Sequence, residues 1–336
     1  MTDSLILVAI QLICIIVPFI IIIGIIGNSI NIIVLTRSAL YNHSCSRYFL
    51  ALAGNNLFLS SAFLINRLLI TGYQLDLTKI SLLSCKFIQY VTGVCVVISP
   101  YFIVLASIDR YCASSKNIQR RKFSNIRITR WALIFVVILI GLYYINYLVL
   151  IDLRKDDSFG CAIRGDTIYK QIYPITQVMV FAIIPPCLMG FFGGMTIYNM
   201  KHIRFLPRVA VRYRRTENQL GRMLILQVGT YIVLTLPLSI AYLILVLPNS
   251  FKTTTKFQFM YLICQLFFYL SCVTAFILYF FSADIYRHEC IRLICRMGQI
   301  YRETRLNLSR NPNSILPMNT TSNNTRAAIA VNSKRY

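Results

Sequence analysis

The sequence predicts an all-α membrane protein: a seven-transmembrane helix bundle with a short amphipathic membrane-surface helix after the seventh span. Three observations carry that expectation. Hydrophobic residues make up 57% of the 336 and charged residues only 13%, where a soluble domain has roughly 25% charged. The apolar residues gather into seven runs that lack any ionisable side chain. The formal charge of +23 sits in the segments between those runs. The balance is the opposite of the low hydrophobicity that disorder requires, and it argues against a soluble globular enzyme.

The runs are Leu5 to Thr36, Tyr48 to Asn66, Phe87 to Ile108, Trp131 to Ile151, Gln171 to Met200, Met223 to Phe251 and Phe257 to Ala283. About 20 apolar residues in a helix cross the hydrocarbon core. Backbone polar groups in lipid must pair within the segment, so such runs become helices. The expected spans are 5–36, 47–72, 86–111, 129–151, 172–200, 219–247 and 257–282. The first run is too long for a signal peptide and lacks a basic region before it. Residues 1–4 are therefore expected to be an extracellular N-terminus, and 5–297 the seven-helix domain. Residues 284–296 mix charge with Ile285, Tyr286, Ile291, Leu293 and Ile294, the pattern of a helix lying on a membrane. Cys290 and Cys295 lie on or near it as lipidation candidates. The stretch 298–336 is rich in Asn, Ser, Thr and Arg and is expected to be a disordered cytoplasmic tail.

Orientation follows from the basic residues. With the N-terminus outside, the inner segments hold 25 of the 34 Lys and Arg but only five of the 11 acids. Basic loops stay cytoplasmic, so the expected topology is N-terminus outside and C-terminus inside. The clusters Arg120–Lys122 and Arg212–Arg215 each abut a span. They read as anchors at anionic lipid rather than as nucleic-acid contacts. The sequons at Asn42, Asn307, Asn319 and Asn323 fall on the inner side, where no glycan is added.

The sharpest motif is Asp109-Arg110-Tyr111 at the inner end of the third span. Cys85 lies 25 residues before Arg110 on the same helix, about 37 Å away at 1.5 Å per residue, a full crossing. Cys161 lies in the outer loop between the fourth and fifth spans. Two cysteines on the oxidising face can form a disulfide, which would tie that loop over the third helix.

With these residues the chain resembles the rhodopsin-like (class A) family of G-protein-coupled receptors, over all seven spans and the amphipathic helix. Gly27-Asn28 matches the first-helix pair, Trp131 the fourth-helix Trp, Pro185 or Pro186 the fifth-helix proline, and Pro237 the sixth. Tyr279 matches the end of the NPxxY motif, and Tyr286 stands where the family opens its amphipathic helix with Phe. Within the family it looks most like invertebrate orphan receptors grouped with neuropeptide receptors.

The resemblance implies roles. Arg110 is a cation at the edge of the hydrocarbon, costly there unless paired or functional. Asp109 would hold it at rest, with Glu217 as a second partner bridging to the sixth helix. Activation would break the bridge and swing that helix outward, a two-state element. Pro237 removes a backbone hydrogen bond and kinks the sixth helix. Asn28, Asn55, Trp131 and the proline pair would serve helix packing.

The departures from the family pattern are concrete. The CWxP segment reads Leu234-Thr235-Leu236-Pro237 and lacks its Trp. NPxxY reads Ala275-Phe276-Ile277-Leu278-Tyr279, without Asn or Pro. The second-helix Asp falls on Gly54, followed by Asn55 and Asn56, with Ser99 a possible polar neighbour. With no carboxylate in the core, weak or no sodium modulation is expected. An inner Tyr of the fifth helix is replaced by Gly193 or Gly194, and Pro100 interrupts the third.

The third-helix site that carries Asp in amine receptors falls on Thr92, and no Lys lies within any of the seven uncharged runs, which speaks against an amine receptor and an opsin. Ligand-facing candidates are Arg67, Thr92, Gln177, Ser239, Tyr242, Gln265 and Tyr269. Arg67 either receives a peptide carboxylate or snorkels to the surface. A mixed-charge loop around Asp152 to Lys170 suits a polar peptide.

The leading expectation is thus a receptor that binds an extracellular ligand, a peptide, and activates a heterotrimeric G protein at the plasma membrane. It needs no cofactor or metal, contacts membrane lipids and no nucleic acid, and offers tail hydroxyls such as Thr304 and Ser314 for phosphorylation and arrestin docking. The alternative is a seven-helix binding or scaffold protein that has lost G-protein signalling. A transporter is disfavoured by the lack of repeats and buried acids. An enzyme is disfavoured by three histidines all at helix ends or loops.

Overall fold

The structure, a computed structural model, describes residues 2–153, 161–163, 168–202, 211–246 and 254–310. Its compact unit Met1–Ile291 is a bundle of long helices, and the remainder from Arg292 is a second unit. The helices are α1 (Thr2–Leu35), α2 (Ser44–Tyr73), α3 (Leu82–Ala113), α4 (Ile126–Leu150), α5 (168–202), α6 (Val211–Val246), α7 (Thr255–Ser271 with Thr274–Ser282) and α8 (Asp284–Arg310). Six are long and apolar enough to cross a membrane, and a seventh span is made by the two pieces of α7, bent by 45°. The protein is therefore a multi-pass membrane protein with a seven-helix bundle.

The central helix is α3, which packs against α2, α4 and α5. It starts cleanly because Ser81 and Ser84 form a reciprocal capping box at 3.1 Å. Between α4 and α5 the chain forms two short antiparallel strands, β1 (Ile151–Leu153) and β2 (Cys161–Ile163), paired Ile151 with Ile163 and Leu153 with Cys161. This hairpin lies against α3.

Two helices carry π turns. In α5 the turn Val178–Ile183 directly precedes Pro185 and Pro186. Two successive prolines offer no N–H to the carbonyls one turn back, so the helix widens there. The Tyr101 hydroxyl of α3 donates to the freed Val180 carbonyl at 3.1 Å. In α2 the π turn Leu59–Phe63 contains Ser60 and Ser61, whose hydroxyls donate to the carbonyls of Asn56 and Leu57 at 2.8 Å. Such side-chain bonds compete with the helical ladder.

The bend in α7 needs neither of the residues missing from NPxxY. At the break, Cys272 and Val273 donate back by three residues, to Tyr269 at 3.2 Å and Leu270 at 3.1 Å. The Cys272 carbonyl is taken instead by the Asn28 side-chain amide of α1, at 3.0 Å.

Two expectations are corrected. The surface helix does not stop near 296, because α8 runs to Arg310. Gly298 costs an interior turn only about 1 kcal/mol, and helix formers such as Glu303 and Leu306 follow before the first proline at Pro312. The expected tail beyond 310 lies outside the described residues. The first helix likewise begins at Thr2 rather than at residue 5.

Candidate functional site

The two ends of the bundle carry different chemistry. At one end, Cys85 at the head of α3 is bonded to Cys161 of β2, with Cα atoms 5.7 Å apart. The bridge fixes the hairpin over α3 beside a cavity of about 450 Å³, which is in the size range of small-ligand sites.

Helices α2 to α7 all contribute to its wall. Arg67 reaches it from α2, half-buried, with its guanidinium 5.4 Å from the Phe63 ring. Thr92 faces it from α3, but its hydroxyl is spent on the Ile88 carbonyl at 2.6 Å. Gln177 of α5 accepts from Tyr144 of α4 at 2.8 Å and from Tyr173 at 3.2 Å. Gln265 of α7 accepts from Tyr269 at 3.2 Å. Phe63, Phe181, Phe268 and Tyr269 form an aromatic floor with ring centroids 5.7 to 6.5 Å apart. Tyr242 closes the wall, 6.3 Å from Phe181. Six of the seven sequence-derived ligand candidates thus line one cavity. Ser239 does not: it is buried outside the lining, donating to the Thr235 carbonyl at 3.0 Å. Sequence reasoning missed Tyr144, whose ring fits because α3 has Gly93 opposite. A Cβ on Gly93 would sit 2.6 Å from Tyr144 Cε1.

At the other end, Asp109 and Arg110 are almost fully buried and paired, Nη2 to Oδ2 at 2.7 Å and Nε to Oδ2 at 3.2 Å. Ser44 at the start of α2 donates to Asp109 Oδ2 at 3.0 Å, and Ser124 before α4 donates to Oδ1 at 2.8 Å. Neither serine was legible from spacing, since hydroxyls at helix ends are common. Tyr111 points elsewhere, its hydroxyl accepting from Arg120 at 2.7 Å and its ring 5.7 Å from Phe192. The Glu217 side chain lies outside the described residues. A contact not foreseen joins α6 to α8 nearby. Gln219 accepts from the Ile285 backbone N–H at 3.0 Å and donates to Asp284 at 3.3 Å.

Between the ends runs a polar chain. Asn55 donates to the Cys95 carbonyl and to Ser99 Oγ, both at 2.7 Å, and Ser99 donates to Asn56 Oδ1 at 3.0 Å. Gly54, at the place assigned to the family's Asp, is exposed, while Asn56 holds the inward position. A water-sized void of about 10 Å³ adjoins Ser99, Gln227 and Tyr231. Further along, Tyr279 is fully buried between Phe49 and Tyr286, at 5.0 and 5.8 Å, and the Tyr286 hydroxyl donates to Asn31 at 2.6 Å. Pro237 sits inside α6 and is half-buried.

Of the packing candidates, Asn28 joins α1 to α7, and Pro185 is buried with Pro186 half-buried beside it. Trp131, expected to serve helix packing, is instead 68% exposed on the surface of α4. The lipidation candidates separate. Cys295 is exposed, whereas Cys290 is buried, and that burial pushes its thiol pKa up. That burial lowers the thiolate content of Cys290 relative to an exposed thiol.

The family model described as 7 transmembrane receptor (rhodopsin family) matches residues 27–279, which include the disulfide, the cavity and the Asp109–Arg110 pair. No curated protein matches the chain.

Proposed function

The chain belongs to the rhodopsin family of seven-transmembrane receptors, and from that premise we propose that it binds an extracellular ligand, a peptide, and activates a heterotrimeric G protein. In this reading the disulfide end faces outward at the plasma membrane and the Arg110 end faces the cytoplasm, as the distribution of basic residues favours. The observation that carries it is the closed pair of Asp109 and Arg110, buried at the end of α3 opposite the end that holds the disulfide and the cavity. A buried ion pair is weak as a source of stability but well suited to a switch.

The resting state is held by contacts that ligand binding would undo. Asp109 keeps Arg110 folded inward, and Gln219 ties α6 to the start of α8. An outward swing of α6, with Pro237 as its hinge, breaks the Gln219 contact and opens a crevice beside Arg110 for the G protein. The ligand supplies the bias by binding the open state more tightly. Membrane lipids surround the exposed faces, and arrestin docks on the phosphorylated tail. Cys295 is the site on α8 open to S-acylation.

The test is nucleotide exchange on G proteins in membranes, without ligand and with a neuropeptide library, comparing wild type with Arg110→Ala. A signal lost in Arg110→Ala supports transduction. Exchange that is absent in both, at matched surface expression, favours the scaffold reading. That reading draws on the missing Trp before Pro237 and the missing Asn-Pro of α7. Against it stands the bend of α7, which survives without them.

A further inference from the structure

The charge that faces the cavity is positive. Among the described residues that line it, Arg67 is the one charged side chain. Its recorded contact is the face of Phe63 rather than a carboxylate. Three amides lie on the wall, Gln89, Gln177 and Gln265, and tyrosines orient the last two. Gln177 Oε1 accepts two hydroxyl protons and Gln265 Oε1 accepts one. The Gln177 acceptor is filled and one Gln265 lone pair is taken, so both amides can turn their NH2 donors to a ligand. A guanidinium with two amide donors is a set built for acceptor oxygens and for negative charge. The rings of Phe63, Phe181 and Phe268 supply an apolar surface beside it.

We propose that the cavity selects a ligand bearing a free carboxylate joined to an aromatic or aliphatic body, with the carboxylate on Arg67 and the body on the phenylalanine floor. This rests on the cavity being the receptor's ligand site. The same chemistry is offered by the C-terminus of a peptide and by a small organic acid. A basic ligand is disfavoured, because it would meet Arg67 and no acid among the described lining residues. A ligand whose carboxylate is amidated forfeits the charge-assisted contact, which is worth about ten- to hundredfold in affinity.

The experiment measures thermal protection of the purified full-length protein. The probes are 4-phenylbutanoate, indole-3-acetate and the tripeptide Gly-Gly-Phe, each as free acid and as matched amide, up to roughly 10 mM, where ligands of this size bind. The expected result is protection by acids at concentrations at least tenfold lower than by their amides. Arg67→Gln abolishes that difference and Arg67→Lys retains part of it. Unliganded melting of each variant is recorded beside it, so that loss of folding is not mistaken for loss of binding. Protection by the tripeptide acid alone assigns the carboxylate to a peptide terminus, and protection by the small acids assigns it to a free acid. Equal protection by acid and amide, protection by no acid, or an acid preference that survives Arg67→Gln overturns the inference. Protection needs no G protein. Absent exchange beside intact acid-selective protection counts against transduction alone, and Arg110-dependent exchange without protection counts against the carboxylate alone.

Discussion

Ser124 and Arg110 hold opposite oxygens of one carboxylate: Ser124 donates to Asp109 Oδ1 at 2.8 Å, and Arg110 donates to Oδ2 at 2.7 Å. The arginine is thus restrained by a loop hydroxyl that it does not itself touch through that oxygen. Ser124→Ala should loosen Asp109 and raise ligand-free nucleotide exchange by about fivefold, the equivalent of about 1 kcal/mol for a half-buried hydrogen bond to a charged group. Unchanged basal exchange at equal surface expression would mean that Ser44 and Arg110 suffice to hold the carboxylate.

Gln219 offers a second handle on the resting state. Its side chain both caps the Ile285 N–H and donates to Asp284, so α6 and α8 are joined by one residue. Gln219→Leu keeps the volume and removes both bonds. Basal exchange should rise, and a fluorophore placed at the inner end of α6 should report larger motion. If α6 mobility is the same in both proteins, Gln219 caps α8 and nothing more.

Gly93→Ala tests the fit of Tyr144 into α3. The added methyl would lie 2.6 Å from the ring, so either helix or ring must move. Overpacking of this kind costs about 1–3 kcal/mol. The melting temperature should fall, and the Tyr144–Gln177 bond should weaken with it. Restored stability in Gly93→Ala with Tyr144→Leu would identify the clash as the cause.

The two cysteines of α8 should differ in reactivity. Burial raises the Cys290 pKa, so its thiolate fraction at pH 8 lies below that of an ordinary thiol, and its labelling rate should keep climbing as pH rises further. Maleimide labelling at pH 7 should therefore modify Cys295 and spare Cys290, and incorporated palmitate should vanish in Cys295→Ser alone. Mass spectrometry of tryptic peptides reads both outcomes. Equal modification of the two residues would show that α8 detaches from the position seen here.

The spans were readable because each is an uninterrupted apolar run, and the bridge because Cys85 and Cys161 fall on one side of the membrane. The facing of each helix was less readable. Helix α4 is apolar on nearly every side, so no periodic stripe tells its core face from its lipid face. Trp131 was accordingly placed inward and stands outward. In α2 the inward position likewise falls on Asn56 rather than on position 54, and Asn56 accepts from Ser99. The cavity was mostly legible, because polar side chains in the outer halves of spans have few other places to go. The clasp around Asp109 was not, because Ser44 and Ser124 are 80 residues apart and look like ordinary helix-end serines.

The asparagines of α1 bear on how the chain is assembled during synthesis. Asn28 bonds Cys272 and Asn31 bonds Tyr286, partners 244 and 255 residues later. Asn28 keeps one bond within α1, to the Gly24 carbonyl at 2.9 Å, but α1 enters the bilayer without the long-range partner of either amide. Those partners arrive with the last span and the α8 that follows it, when the last span docks against the first. A product truncated before α7 would keep both amides facing lipid or earlier helices, a lasting polar flaw in an otherwise apolar segment. The same pair that completes the finished bundle would thus mark an unfinished one for retention and degradation.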